Sequence, residues 1–436
     1  MKFYDREEEL AFLKKQEIKA QTTSQMTVMV GRRRIGKTSL LKKSIENKRA
    51  IYFFIAKKSE SLLVSEFSDL VKNKLNIPIY GDLKSYKDLF DILMDNSVQQ
   101  PMTLVLDEFQ EFFTINPSIF SEMQNIWDSK KDSSKMNLIL CGSIYSLMKK
   151  VFEDAKEPLF GRATARIHIK PFGVETLKEI LKDFNPTYTN FDLLVFYTIT
   201  GGVAKYVENL VNSEAFSFEV VIDEIFQANS LFLEEGRNVL IEEFGKDYTT
   251  YFSILTLIAS SKTSRPEIES ILETSVGGFL EKLENDFGII KRVKPILSKP
   301  TSRQIKYRIE DNFLNFWFRF IYKHRSTIEI GNFDLIKKIV ERDFSTYSGP
   351  ILEKYFVAKL IESKSYTSIG TYWEKGNQNE IDIVAINELE KKILIAEVKA
   401  NKEKYNLPGL KLKSKNLLVD FKGFEVEYRC FSLEDM

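Results

Sequence analysis

Cysteine is nearly absent from this chain of 436 residues: only Cys141, in an apolar run, and Cys430, near the end, are present. Two cysteines so placed support neither a disulfide framework nor a cysteine metal site. An excess of one charge is missing too. Lys and Arg number 63 against 62 Asp and Glu, a formal net charge of +1, so no global field announces nucleic acid or membrane, and any such surface has to be local. No apolar run approaches the ~18 residues that a membrane span needs. The opening "MKFYDREEELAFLKK" alternates acid and base without the apolar core of a signal peptide. A cytoplasmic protein with no membrane partner is expected. Internal repeats and low-complexity tracts are also lacking. What is there suits a globular chain: 43% of residues are hydrophobic, and at roughly 150 residues per domain the length predicts two to four domains.

Four segments follow one another. Residues 1–170 alternate helical stretches with the short apolar runs "MTVMVG", "AIYFFIA", "MTLVLD", "MNLILCG" and "RIHIKPF", the pattern of strands buried on both faces of a parallel sheet. Residues 171–246 turn helical and read as a lid. Residues 247–330 run helix, Pro-started helix, helix and basic hairpin, an order that predicts a winged-helix module. Residues 331–436 place helices before a strand pair, "NEIDIVAINELEKKILIAEVKA", and make an α+β unit.

The strongest chemical signal is "VMVGRRRIGKTSLLKK", G-x-x-x-x-G-K-T between an apolar strand and a helix, the context that a phosphate-cradling loop requires. Gly31 and Gly36 let the backbone curl so that its N–H groups and the helix N-terminus point at phosphate oxygens. Lys37 would reach the β- and γ-phosphates of ATP, and Thr38 would offer its hydroxyl to Mg²⁺. The arginines Arg32, Arg33 and Arg34 read as loop-surface charges, although Arg34 is kept with Ser39 in the candidate nucleotide-binding set. Downstream, "TLVLDEFQEFF" ends a strand in Asp107-Glu108. One carboxylate can hold the Mg²⁺ shell while the next orients the attacking water. Neighbours on a strand point to opposite sides, so assigning Asp107 to metal and Glu108 to water requires that the strand has begun to turn.

With these motifs the chain resembles the archaeal-type ATPases of the AAA+ and STAND group over almost its whole length. The resemblance implies that the backbone near Phe3 and Tyr4 lies against adenine, that Arg6-Glu7 braces the loop, and that Ser143 in "LILCGS" reads the γ-phosphate. It further implies that Arg162, in "PLFGRATARIHI", serves as an arginine finger or sensor, since a guanidinium suits the charge on the γ-phosphate oxygens. A finger acting in trans would imply an oligomer. In the lid, "TGGVAKYVENL" has Ala204 where the family commonly has proline. In the third segment the helix "TSVGGFLEKLENDFG" sets Lys282 against Glu281, Glu284 and Asp286 and would repel phosphates. The hairpin, with Lys291, Arg292, Lys294, Lys299, Arg303, Lys306 and Arg308, makes a basic wing able to contact DNA backbone without base readout. The module is thus expected to pack against protein and to offer at most a non-specific DNA surface, the alternative being a merely solvated hairpin. The aromatic run "FLNFWFRF" has the spacing of helix packing rather than of a base-stacking platform.

In the strand pair near the C-terminus, Asp382, Glu397 and Lys399 interrupt apolar strands, and unpaired carboxylates there would be costly. This order resembles the PD-(D/E)xK nuclease fold, with Glu353 as the acid on the preceding helix and Glu380 nearby. The resemblance implies a metal held by Glu353, Asp382 and Glu397, helped by the Val398 carbonyl, with Lys399 positioning water. The expected fold is thus α/β: a P-loop, AAA+-like parallel sheet with a helical lid, a winged helix and a restriction-endonuclease-like α+β domain. The expected function is a Mg²⁺-dependent ATPase or switch coupled to a nuclease-like domain acting on DNA. The alternative is an ATP-dependent switch that recruits a protein partner, its nuclease-like domain inert.

Overall fold

Alternation within each strand of the first half builds two apolar layers around one sheet. The computed structural model describes residues 1–245, 248–299 and 301–436; the lid boundary expected at residues 246–247 lies outside them. Strands β1 (Gln25–Val30), β2 (Ala50–Phe54), β3 (Met102–Asp107), β4 (Met136–Gly142) and β5 (Ala165–His168) pair in the order β2-β3-β4-β1-β5. Every neighbouring pair is parallel. β3 and β4 are buried at every position, as strands covered by helices on both faces must be. Val28, Phe53, Leu104, Leu106 and Leu140 face one layer, and Met29, Val105, Ile139 and Cys141 the other. The unit so formed spans Asp5–Lys170.

A second unit comprises Met1–Tyr4 and Pro171–Met436. It opens with helices, among them Val174–Phe184, Asn190–Thr200 and Ala204–Asn212. Gly201 and Gly202 both take positive φ between the last two of these, and a Cβ on Gly202 would meet the Phe172 carbonyl oxygen at 2.2 Å. The turn therefore forms on its glycines, with Ala204 in the place of proline. Helices Tyr248–Ala259, Arg265–Leu272 and Gly277–Asn285 precede an antiparallel hairpin of β6 (Ile290–Val293) and β7 (Lys306–Ile309). The aromatic run packs inward: Phe313, Phe316, Trp317, Phe318 and Phe320 are buried.

The long helix Phe333–Glu362 leads into a sheet of β8 (Ser368–Tyr372), β9 (Ile381–Asn387), β10 (Lys392–Val398) and β11 (Glu425–Phe431), ordered β11-β10-β9-β8. β9 is antiparallel to both β8 and β10. The helix Leu407–Lys413 intervenes before β11, which joins β10 in parallel. Among the described residues no helix is long and apolar enough to cross a membrane.

Candidate functional site

The loop after β1 is shaped by its glycines. A Cβ on Gly31 would fall 2.9 Å from the Ile169 carbonyl oxygen, and Gly36, at φ 95°, caps the helix Lys37–Ser44. Arg34 also takes a positive φ, 69°, and is exposed, as are Thr38 and Ser39. Lys37 is buried, and its ammonium donates to the carbonyls of Gly31 and Arg32 at 2.6 and 2.8 Å. Burial pushes its pKa down, with Glu108 and Asp107 among the groups that oppose the shift. Arg6 braces the loop from the N-terminal side, donating to the carbonyls of Lys170 (2.8 Å) and Ile35 (3.4 Å). Arg6 also pairs with Glu9 at 3.0 Å, and Glu7 is exposed.

β3 ends at Asp107, and Glu108 turns the chain with φ 57°, ψ 40°. That left-handed residue is the turn which separate roles for the two acids require. Asp107 is 2% exposed yet well satisfied: its Oδ2 accepts from the hydroxyls of Thr38 (3.0 Å) and Tyr52 (2.5 Å), and its Oδ1 from the Glu108 N–H (3.0 Å). A hydroxyl and a carboxylate on adjacent elements are the hard oxygen donors that Mg²⁺ takes alongside phosphates, so the residues fit a Mg²⁺–nucleotide. Ser143, expected to face a γ-phosphate, donates to Glu108 Oε2 at 2.6 Å. Gln110 donates to the same oxygen at 2.6 Å. Burial holds the nearby Cys141 thiol protonated by raising its pKa well above the usual thiol range.

Arg162 is not brought to this loop. Thr164 donates its N–H to Met26 at the start of β1, whereas the loop follows Val30, about 13 Å further along the strand at ~3.3 Å per residue. Arg162 thus lies toward the N-terminal end of β1, away from the loop that follows its C-terminal end, and pairs with Asp128 at 3.0 Å.

In the second unit the expected acids gather, but with cations among them. Asp382 on β9 accepts from the Val398 N–H at 2.8 Å. Lys399 lies 4.0 Å from Asp382 and 3.9 Å from Glu397, and Lys413 bonds Glu397 at 2.6 Å. Glu353, from the long helix, has Arg308 at 3.9 Å, while Lys306 pairs with Glu380 at 2.9 Å and lies over the Trp373 ring. Four carboxylates thus face four cations. Among the described residues no three His, Cys, Asp or Glu side chains are disposed to hold a metal ion, so the ligand set Glu353, Asp382 and Glu397 is not assembled as a metal site.

Two of those cations belong to the basic wing. Its connecting segment also lies on the edge of the second sheet, with Ile296 donating its N–H to the Thr371 carbonyl at 2.7 Å. Arg292 pairs with Glu284, one of the acids read as repelling phosphate. Three of the seven wing cations, Arg292, Lys306 and Arg308, are therefore engaged with carboxylates of the same chain. Sequence reasoning missed Tyr52, Gln110 and Lys413. Gln110 alone left a signal, a polar residue set among Phe109, Phe112 and Phe113 directly after the acid pair.

Comparison with known proteins bears on the whole chain. Residues 3–210 match a family described as an ATPase domain predominantly from Archaea, and residues 317–410 one described as archaeal and bacterial proteins of unknown function. An uncharacterized protein of Methanocaldococcus jannaschii is 31% identical over 406 residues, covering 91% of this chain and 87% of its own length. The chain belongs to the archaeal-type ATPase family. Among solved structures, the Walker-type ATPase of Pyrococcus abyssi is similar at a TM-score of 0.56 and 19% identity, over 72% of this chain and 96% of that one. The Aeropyrum pernix ORC2 protein, solved as ADPNP–ADP complexes, is similar at 0.50 and 13%, over 78% and 96%. At such identities the likeness shows the fold, and the parallel five-stranded sheet of this archaeal-type ATPase is that of P-loop ATPases.

Proposed function

We propose that this archaeal-type ATPase binds Mg²⁺–ATP at the loop after β1, hydrolyses it, and couples that cycle to a nuclease-like domain acting on DNA. The observation that carries the reading is the convergence of Lys37, Thr38 and Asp107 beside a Glu108 turned out of its strand. Gly31, Arg34, Gly36, Lys37, Thr38 and Ser39 form the nucleotide cradle, Lys37 neutralising the β- and γ-phosphates. Thr38 and Asp107 would hold Mg²⁺, which when bound neutralises charge developing on the phosphates. Glu108 orients the attacking water and accepts its proton, and Ser143 holds the Glu108 carboxylate. Arg162, facing away from its own loop, serves the nucleotide of a second copy, so the active form is an oligomer.

On this reading residues 171–246 form the lid, residues 247–330 a winged helix and residues 331–436 the nuclease-like domain. What supports the last is the placement of Glu353 on the helix before the sheet, Asp382 on β9, and Glu397 and Lys399 at the end of β10. The second reading, a switch that recruits a protein partner and carries an inert nuclease-like domain, is favoured by the four cations that cover those acids. Plasmid cleavage with Mg²⁺ or Mn²⁺, with and without ATP, separates the two. Cleavage by the wild type that Asp382→Ala abolishes, with ATP turnover kept, supports the first. ATP turnover indifferent to DNA, with no DNA form cleaved, selects the second.

A further inference from the structure

Gln110 lies in the short turn Phe109–Glu111, two residues beyond Glu108, and is 1% exposed. Its side chain turns back, and Nε2 donates to Glu108 Oε2 at 2.6 Å and, at the longer distance of 3.5 Å, to Glu111 Oε1. An ionised carboxylate only accepts, so the amide must present its NH₂ group there. The amide oxygen is then sent the other way, where it is buried with no hydrogen-bond partner. Buried acceptors left unsatisfied are rare in folded proteins and call for a reason. The nearer of the two carboxylates that hold the NH₂ group, Glu108, supplies one. Ser143 donates to the same Oε2 at 2.6 Å, so donors from two elements converge on one oxygen of the carboxylate. Its Oε1 has no partner among the described residues.

Space for the amide is also built in. A Cβ on Gly142, the last residue of β4, would fall 2.4 Å from Gln110 Oε1 and 2.4 Å from Met148. Gly142 is not among the residues with positive φ, so glycine serves there for room and not for backbone freedom. The missing Cβ makes room for Met148 and the amide alike, while the empty acceptor is what a glutamine placed only to fill volume would not need.

We propose that Gln110 is a positioning residue: its amide and the Ser143 hydroxyl pin one oxygen of Glu108 so that the other is aimed at the attacking water. This rests on the reading of Glu108 as the group that orients that water. The amide exchanges no proton and touches no substrate; it fixes the rotamer of the carboxylate that does.

The test is a double-mutant cycle on ATP hydrolysis with Gln110→Met, which keeps length and removes both the donor and the stranded acceptor. The expected result is a fall in kcat of about tenfold, a part of the ~10²-fold or more that a positioned base contributes, with KM for ATP and the melting temperature of the protein held. In a Glu108→Gln background the same change should cost nothing further, because the two residues act as a unit. Gln110→Met with wild-type kcat, beside a slow Glu108→Gln, overturns the inference alone. Equal further loss in both backgrounds, or a fall that merely tracks a lowered melting temperature, marks a packing role and overturns it too. If Glu108→Gln itself turns over like wild type, the reading of Glu108 fails and the inference falls with it.

Discussion

Burial and the neighbouring Asp382 charge push the Glu353 pKa from 4.5 up to about 7, and the Arg308 guanidinium offsets only part of that. Asp382 is shifted up as well, by burial, against the Val398 N–H and Lys399, which favour its charged form. For Glu353 the folded chain therefore holds a proton between pH 4.5 and about 7 that the unfolded chain has released. Stability falls as pH rises through that window, and the cost is fully present above it. With chelator present, Glu353→Gln should melt higher than wild type at pH 8 and lose that advantage at pH 4; a wild type and variant with parallel pH profiles would show that Glu353 is ionised at no cost. At this scale the sequence was informative where chemistry is local. G-x-x-x-x-G-K-T and the adjacent Asp107-Glu108 could be read because spacing along the chain sets spacing in space. Tyr52 could not, since an aromatic residue on a buried strand looks like any other until its hydroxyl is seen 2.5 Å from Asp107.

Among elements, the hairpin of β6 and β7 forms where the sequence reads one. Its cations were legible, but their partners were not: Lys306 and Glu380 are 74 residues apart, and nothing in either local pattern announces the other. Charge on a hairpin looks like a solvated or DNA-facing surface until the opposing acids are known. The helix before the sheet and the strand pair β9 and β10 were legible in outline, by apolar runs and a charged turn; β8 went unread, and the parallel addition of β11 depends on a long-range pairing that carries no local mark. The docking of the hairpin predicts a local effect. Reversing charge with Lys306→Glu and Arg308→Glu sets like charges against Glu380 and Glu353, so the segment should lift from β8. Hydrogen exchange at the Ile296 amide should then speed up by about tenfold or more, with the helix Lys37–Ser44 unchanged. Unaltered protection at Ile296 would mean that apolar contact alone holds the segment.

For the whole molecule, the two units of this archaeal-type ATPase each carry one constellation of charged residues, and each was legible to a different degree. The parallel sheet follows from buried strands alternating with helices, a pattern that α/β folds share, and the G-x-x-x-x-G-K-T loop after β1 narrows it. The acids of the second unit could be named one by one, yet whether they stand open to a metal or matched by cations depended on side chains from the hairpin and from the helix Leu407–Lys413. The account stands chiefly on the first site, and steady-state ATP hydrolysis in Mg²⁺ by wild type, Lys37→Ala and Glu108→Gln tests it most directly. The expected result is turnover by wild type, retained ATP binding with hydrolysis slowed by ~100-fold or more in Glu108→Gln, and lost binding in Lys37→Ala. Equal turnover by all three proteins, or none by wild type together with no ATP binding, would contradict it.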